Sequence, residues 1–593
     1  MGCAVIFGTT ACSDDHFDID GGSVSGNSTL WANIQSNGST DSLAMILQRT
    51  IVMKSENDKS GQLKYSELLD QPQTFTVWAP KDGTYSASYY LNLLNQRDSL
   101  MNIGTSEAVT SAWALNYTVA NQFITNHVAR FSYESNKERQ KVRMLNSKVC
   151  YYEAGNNLFN NVSLESDAVL NSINSSNGTM HVLDGLSPFS YNLYDYLGYH
   201  SEFNKIWSVL SDPSIDTETF DEDGSTQGAM NENGEMVYVD SVFKSSNSYL
   251  DDCGAKIKDE DSLYIALLPT DAAYEGAYST VSSLYKYGTT YAYDWDSSAG
   301  SFNKSGNNGL KLNADSLQEY NTNKTLIQSA FFTTANFPVS DQTDSAQVNN
   351  YAQTADSLIC TKGTIYYNSN VGGINPIFNG QSPVKASNGY LYAVTEYKVN
   401  PAYTWIASHE ESLAQAFNVA SVKGSSSTQG DLITLTEETR NDSVVGEVDD
   451  DQYRRFEVSG RSNMQIDIRL DNIYSGKYKI SAVMLPNRTC IANIRYDSKT
   501  GEEIQEAAQF TCQILDDADS RIGSASSTIT VDNDSIKTYV LFESVEFPKC
   551  YVDLPTGYTS FPRLRFTMSP ANQTRGKSNS LNISKIIIEP VRE

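Results

Sequence analysis

The chain has 593 residues, a formal net charge of −28 and a pI near 4.6. That length exceeds what one hydrophobic core organises and predicts three or four domains, while the acidic surface argues against nucleic acid as a partner, because a phosphate backbone would meet its own sign. Tyr occurs 36 times against 43 Lys plus Arg, a balance that favours an aromatic-dotted exterior touching sugars or other proteins.

No run reaches the roughly 20 apolar residues of a membrane span. Near the start, Ala4-Val5-Ile6-Phe7 is a short apolar stub, and Thr9-Thr10-Ala11-Cys12 resembles a bacterial lipobox with Cys12 as the lipidated residue. Ser13-Asp14-Asp15 resembles the acidic export signal of Gram-negative surface lipoproteins, which implies anchoring outside the outer membrane by lipid on Cys12; a frayed terminus with a reactive thiol is the alternative. Residues 1–28 thus read as leader and tether, the stretch from 13 being rich in Asp, Gly and Ser.

From Leu30 the periodicity turns helical, with Leu30, Ile34, Leu43, Ile46 and Leu47 on buried faces around an Asn37-Gly38 break. Thr74 to Tyr85 is an apolar strand stopped at Pro80, with Asp82 in the turn. Ser262 to Tyr274 repeats it, Pro269 and Asp271 taking the places of Pro80 and Asp82. Tyr89 to Leu100 and Val109 to Phe131 predict helices. His127 falls at the edge of the second helix's apolar stripe and, lacking a positioned partner, reads as structural. Val142 to Tyr152 and Thr179 to Leu186 predict strands. Asn177 to Pro188 and Ser387 to Pro401 are each an Asn-Gly turn, a strand and a proline stop.

Together these stretches resemble the fasciclin (FAS1) domain. Thr76, Val77, Ala79, Pro80 and Asp82 match its first signature box, Asn126 and His127 its central element, and Asn177, Gly178, His181, Val182, Asp184 and Gly185 its second box. The resemblance covers roughly residues 29–401; the second copy keeps both boxes but offers only Ala335-Asn336-Phe337 in place of Asn-His. It implies an α+β fold of two tandem domains, residues 29–197 and a divergent 198–401 carrying insertions, and it implies adhesion or recognition without chemistry.

The second domain opens on a helix through Phe203, Ile206, Trp207 and Leu210. Asp216 to Gly234 reads as a solvated loop, since Thr219 and Met230 stand where an EF-hand at Asp221-Glu222-Asp223-Gly224 would need acids. Tyr285 to Asn308, with Tyr291, Tyr293 and Trp295, is an insertion whose aromatics either form a contact surface or pack on the domain beneath.

Past a short helix around Trp405 to Phe417, alternating runs at Phe456 to Val458, Met464 to Leu470, Tyr478 to Met484, Thr538 to Val545, Leu564 to Met568 and Ile583 to Ile588 predict an all-β, jelly-roll-like sandwich over 402–593. Leu470 to Tyr478 is similar to stretches of carbohydrate-binding sandwiches, so this domain is where a soluble-ligand site is expected. Glu447, Asp449, Asp450 and Asp451 read as a solvated acidic turn, with a structural calcium as the alternative. Eight cysteines without a Cys-x-x-Cys pair predict no metal site, and isolated buried thiols are favoured over a disulfide among Cys490, Cys512 and Cys550.

No nucleophile elbow, phosphate loop or nucleotide fingerprint appears, so neither cofactor nor enzymatic activity is expected. A glycoside hydrolase in the sandwich would require a carboxylate pair at glycosidase separation. The expectation is a non-enzymatic cell-surface lipoprotein for adhesion or ligand binding, its partner a surface glycan, peptide or protein. The alternative is an accessory glycan- or peptide-binding subunit of a starch-utilisation (Sus) type importer, beside a SusC/SusD-like transporter. Finally, Asp-Ser followed by a small or aliphatic residue recurs, giving candidate O-glycosylation at Ser42, Ser99, Ser241, Ser262, Ser316, Ser345, Ser357, Ser443 and Ser535; capping of helices and strands is the competing explanation.

Overall fold

A computed structural model describes residues 26–592 except 54–55, 57–58, 60, 134–138, 168–171, 231–235, 292, 297–300, 305–309, 368–381 and 557, and gives backbone alone at 221–230, 236–243, 290–291, 293–296, 301–304, 310–311 and 573–574. Cys12 and most of the tether therefore lie outside the described residues, as do the side chains of Asp221 to Gly224, Ser241, Tyr291, Tyr293 and Trp295. The chain mixes helices and sheets and divides into two compact units. One takes the chain as far as Asp195 together with Ile257–Ser262 and Lys385–Asn388; the other holds Tyr196–Lys256, Leu263–Val384 and Gly389–Glu593.

In the first unit the Phe75–Pro80 strand is central. It pairs antiparallel with Val128–Arg130 and in parallel with Gly178–Leu183, beyond which lies Ile173–Ser175. Both parallel strands are buried at all six positions, which is why each reads as an unbroken run rather than an alternation. One face of the sheet packs on helices through Leu30, Ile34, Leu47, Leu94, Val119, Phe123, Met180 and Val182. The other packs, through Trp78, on a small antiparallel sheet of Gln140–Arg143, Val149–Glu153, Leu158–Phe159 and Val162–Ser163.

The second unit repeats the central ladder. Tyr264–Pro269 pairs antiparallel with Phe331–Thr333 and in parallel with Gly389–Val394, and Tyr264 opposite Gly389 reproduces Phe75 opposite Gly178. Trp78 N–H donates to His127 O at 2.9 Å and Leu267 N–H, one register position equivalent, donates to Ala330 O at 2.8 Å. Ala330 thus occupies the place of His127. Ala335-Asn336-Phe337, the counterpart offered by the sequence, lies beyond the strand in a short 3₁₀ turn.

The remainder of this unit is a sandwich. One sheet orders Asp431–Thr434, Gln452–Glu457, Ser580–Pro590, Gly476–Leu485 and Lys537–Phe547, with His409–Ser412 also pairing Ser580–Pro590. The other orders Val419–Lys423, Met464–Arg469, Arg563–Met568, Gln509–Leu515 and Arg521–Ile522, with Ile529–Thr530 on Gln509–Leu515. One apolar core joins both sheets through Phe456, Ile466, Tyr478, Phe566 and Ile586, and extends to Ala277, Val281 and Leu326 on the helices Asp271–Ser282 and Ala314–Gln328.

Four elements differ from expectation. Val142 to Tyr152, expected as a strand, is a hairpin of Gln140–Arg143 and Val149–Glu153. The Val109 helix gives way at Ala120–Ile124 to a wider turn and then to the Val128–Arg130 strand, because the edge of the Phe75–Val77 ladder claims those residues. Asp216–Met230, read as a loop, is a strand of a two-stranded antiparallel ribbon with Met236–Asn247. Where a helix was expected around Trp405 to Phe417, the α-helical turn ends at Thr404 and His409–Ser412 is a short strand, held by long-range pairing with Ile588 to Lys585. Cys150, Cys253, Cys360, Cys490, Cys512 and Cys550 are separate buried thiols. No helix among the described residues is long and apolar enough to cross a membrane.

Candidate ligand-binding site

The signature residues of the first unit gather on the two parallel strands and their ends, and most are buried. Val77, Ala79 and Val182 are core. Asn177 is an internal cap: its carbonyl accepts from Leu30 N–H at 2.7 Å and its amide donates to the Leu69 and Gln71 carbonyls. Asn388 does the same with Leu193 N–H and the Ile257 and Asp259 carbonyls. Asp82 accepts from Ser42 N–H in the first turn of Asp41–Arg49, favourable for a carboxylate there, while Pro80 closes the central strand. Asp184 is exposed and Gly185 half-buried.

His127 is locked rather than poised. Its Nδ1–H donates to Phe123 O at 2.6 Å and its Nε2 accepts from Ser187 N–H at 3.1 Å, so both ring nitrogens are used and the ring is neutral. Burial pushes its pKa down to about 4. Asn126 donates to Ser187 O, fastening the same loop. His181 lies stacked against Trp78 with Nε2 facing Tyr133 O at 3.3 Å.

Thr76 links this scaffold to the surface. Its hydroxyl donates to Phe131 O at 2.8 Å and accepts from Tyr133 N–H at 3.0 Å, while Phe131 N–H donates to Thr74 O. Ser132 bonds Thr179, and the Tyr133 ring leans on Trp78. Gripped in this way, Phe131 takes φ of +70°, a conformation that is strained for a bulky side chain, and is 46% exposed. The kink interrupts strand alternation, so the consecutive Arg130 and Phe131 both face one concavity.

That concavity has a volume of about 390 Å³, within the range of small-molecule pockets, and its other walls are Tyr133, Arg143, Met144, Leu145 and Ser147. The second wall is a hairpin turn docked by Leu145 N–H on Val128 O and by the Ala129–Met144 bridge. Arg143 is held by Asp261 at 2.9 and 3.0 Å. Arg130 is exposed and makes no ion pair among the described residues. From Val128 to Lys148 the sequence carries six cations, at 130, 137, 139, 141, 143 and 148, against Glu134 and Glu138, a local reversal of the chain's overall sign. That cluster was the one available signal for this site; a left-handed phenylalanine leaves none.

The sandwich, where a ligand site was expected, has a smaller cleft at Asn487, Arg488, Asn493, Arg495, Glu503 and Glu506, with room for about one water at 20 Å³. Its charges are mutually paired, Arg488 with Glu503 and Asp534 at 3.0 Å and Arg495 with Glu506 at 2.9 Å. Elsewhere in the sandwich, burial and then the charge of Asp471 push the Glu411 carboxyl up to about 7. His409 donates to Asp471 O at 2.8 Å and Arg469 pairs with the Asp471 carboxylate. In the acidic turn, Asp449 pairs with Lys585 and Asp451 lies 3.4 Å from Arg440. Among the described residues no group of three or more His, Cys, Asp or Glu is placed to hold a metal ion.

Of the candidate acceptor serines, Ser99, Ser316, Ser345 and Ser443 are exposed, and Ser42, Ser262, Ser357 and Ser535 are half-buried. Capping accounts for some of the triplets: Asp344 accepts from Ala346 and Gln347 amides at the start of Ser345–Thr354, and Ser42 lies in a helix first turn.

No family model matches the chain, and no curated protein matches it. Segments are similar to an arabinose-bound α-L-arabinofuranosidase (11% identity over 27% of this chain and 23% of that one, TM-score 0.15). Others are similar to a cyclase from Fischerella sp. TAU in complex with an indole derivative (10%, 31% and 85%, TM-score 0.17) and to a mutant family 29 carbohydrate-binding module complexed with cellulohexaose (11%, 31% and 91%, TM-score 0.14). The chain spans about a quarter of the arabinofuranosidase's length. Likenesses this slight decide neither fold nor chemistry.

Proposed function

We propose that this chain is a non-enzymatic cell-surface protein that binds a ligand in the concavity between Phe131 and the Arg143–Ser147 turn, on a fasciclin-like scaffold anchored by lipid at Cys12. The concavity itself carries the reading: it is of ligand size, it is lined by arginine, aromatic and aliphatic side chains with Ser147, and among the described residues that line it no base neighbours that hydroxyl. Both nearby histidines are used in holding the backbone.

Mass spectrometry of small molecules released by denaturing the natively expressed protein tests this. A compound recovered unchanged from the wild type and depleted from an Arg130→Glu, Phe131→Gly double variant is expected. Recovery of nothing, or of a compound converted on incubation, would contradict it. The anchor is tested separately by labelling with a fatty-acid analogue, which Cys12→Ala should abolish.

A further inference from the structure

We propose that the ligand of this concavity is a small amphiphilic anion, an aromatic or aliphatic body carrying one carboxylate or sulfonate head. This rests on the binding function above and specifies its chemistry. The floor is apolar: Met144 and Tyr133 are buried at 3% exposure each, and Leu145 is half-buried. At the mouth stands the Phe131 ring, half exposed in a conformation that the Thr74 and Thr76 hydrogen bonds help to sustain. An apolar ring kept in water at steric cost has its counterpart in a ligand's apolar face.

The head group follows from charge. Arg143 is already neutralised by Asp261, whereas Arg130 next to Phe131 has its guanidinium unpaired among the described residues. One guanidinium with no carboxylate partner among the described residues, beside an apolar floor, matches one planar anionic head by charge-assisted hydrogen bonding. Arg139 pairs with Glu153, Lys141 and Arg143 with Asp261, and Lys148 with Glu260, so among the described cations of this stretch Arg130 is the one left to attract an anion. A neutral ligand would leave the Arg130 guanidinium unused, and a cation would be opposed by it.

Fluorescence titration of the full chain decides the matter, with anilinonaphthalene sulfonate as the anionic probe and phenylnaphthylamine as its neutral counterpart. Arg130 is exposed and glycine accepts the φ of residue 131, so Arg130→Glu and Phe131→Gly are both compatible with the fold. Wild type should bind both probes, Arg130→Glu should weaken the anion by about tenfold or more and the neutral probe by less than about twofold, and Phe131→Gly should weaken both. Unchanged anion affinity in Arg130→Glu would overturn the anionic class while leaving the binding site standing. Failure of wild type to bind either probe, or indifference of both to Phe131→Gly, would overturn the site and with it the proposed function.

Discussion

Trp78 shows how one side chain organises the first unit. It is fully buried, stacked on Phe159 with ring centres 4.2 Å apart and against His181, met edge-on by Tyr152 and at a tilt by Tyr133. Trp78→Ala should cost about 3–5 kcal/mol, because the surrounding rings cannot close the cavity, measured as a shift in chemical unfolding of the first transition. Trp78→Phe should cost clearly less, since the indole N–H has no hydrogen-bond partner to lose. The burial of Trp78 and Val182 was legible from the strand's apolar run, and so was the structural character of His127. Phe131 was not: its conformation arises from bonds to Thr74 and Thr76, more than fifty residues away in sequence.

At the scale of elements, the two ladders share a constraint at their shared register. A Cβ on Gly178, whose φ is +145°, would lie 1.8 Å from Phe75 O, and one on Gly389, at +154°, would lie 2.0 Å from Tyr264 O. Gly178→Ala and Gly389→Ala should therefore each destabilise their own unit by about 3 kcal/mol or more, well beyond the penalty of an ordinary glycine replacement, while leaving the other unit's transition in place. Differential unfolding of the two single variants checks this. The Asn-Gly pairs were visible in sequence as turns, but their asparagines do more, fastening a distant helix start and two carbonyls each. Local pattern failed where long-range pairing decided the outcome, as at His409 to Ser412, whose strand exists only beside Lys585 to Ile588.

For the whole molecule, two buried groups, one in each unit, should contribute to stability with opposite dependence on pH. His127 in the first unit has a folded pKa near 4 against an ordinary 6.5, so above 6.5 its burial is free of charge cost; as pH falls from 6.5 to 4 the unfolded chain takes the proton first, and on the order of 3 kcal/mol of stability is lost. Glu411 in the second unit rises from 4.5 to about 7, so its folded form keeps a proton that the unfolded chain releases; stability there is highest below 4.5 and falls as pH rises to 7. Calorimetry of the wild type against single variants across this range should show His127 lowering the first unit's stability, and Glu411 raising the second's, on acidification. His127→Gln and Glu411→Gln should remove the respective dependences.

The central claim, that ligand binding belongs to the kinked Phe131 segment and not to the sandwich, is tested most directly by hydrogen–deuterium exchange of the full chain with and without anilinonaphthalene sulfonate. The geometry predicts added protection in peptides covering Arg130 to Tyr133 and Arg143 to Ser147. Protection confined instead to the sandwich cleft around Asn487 to Glu506 would contradict it.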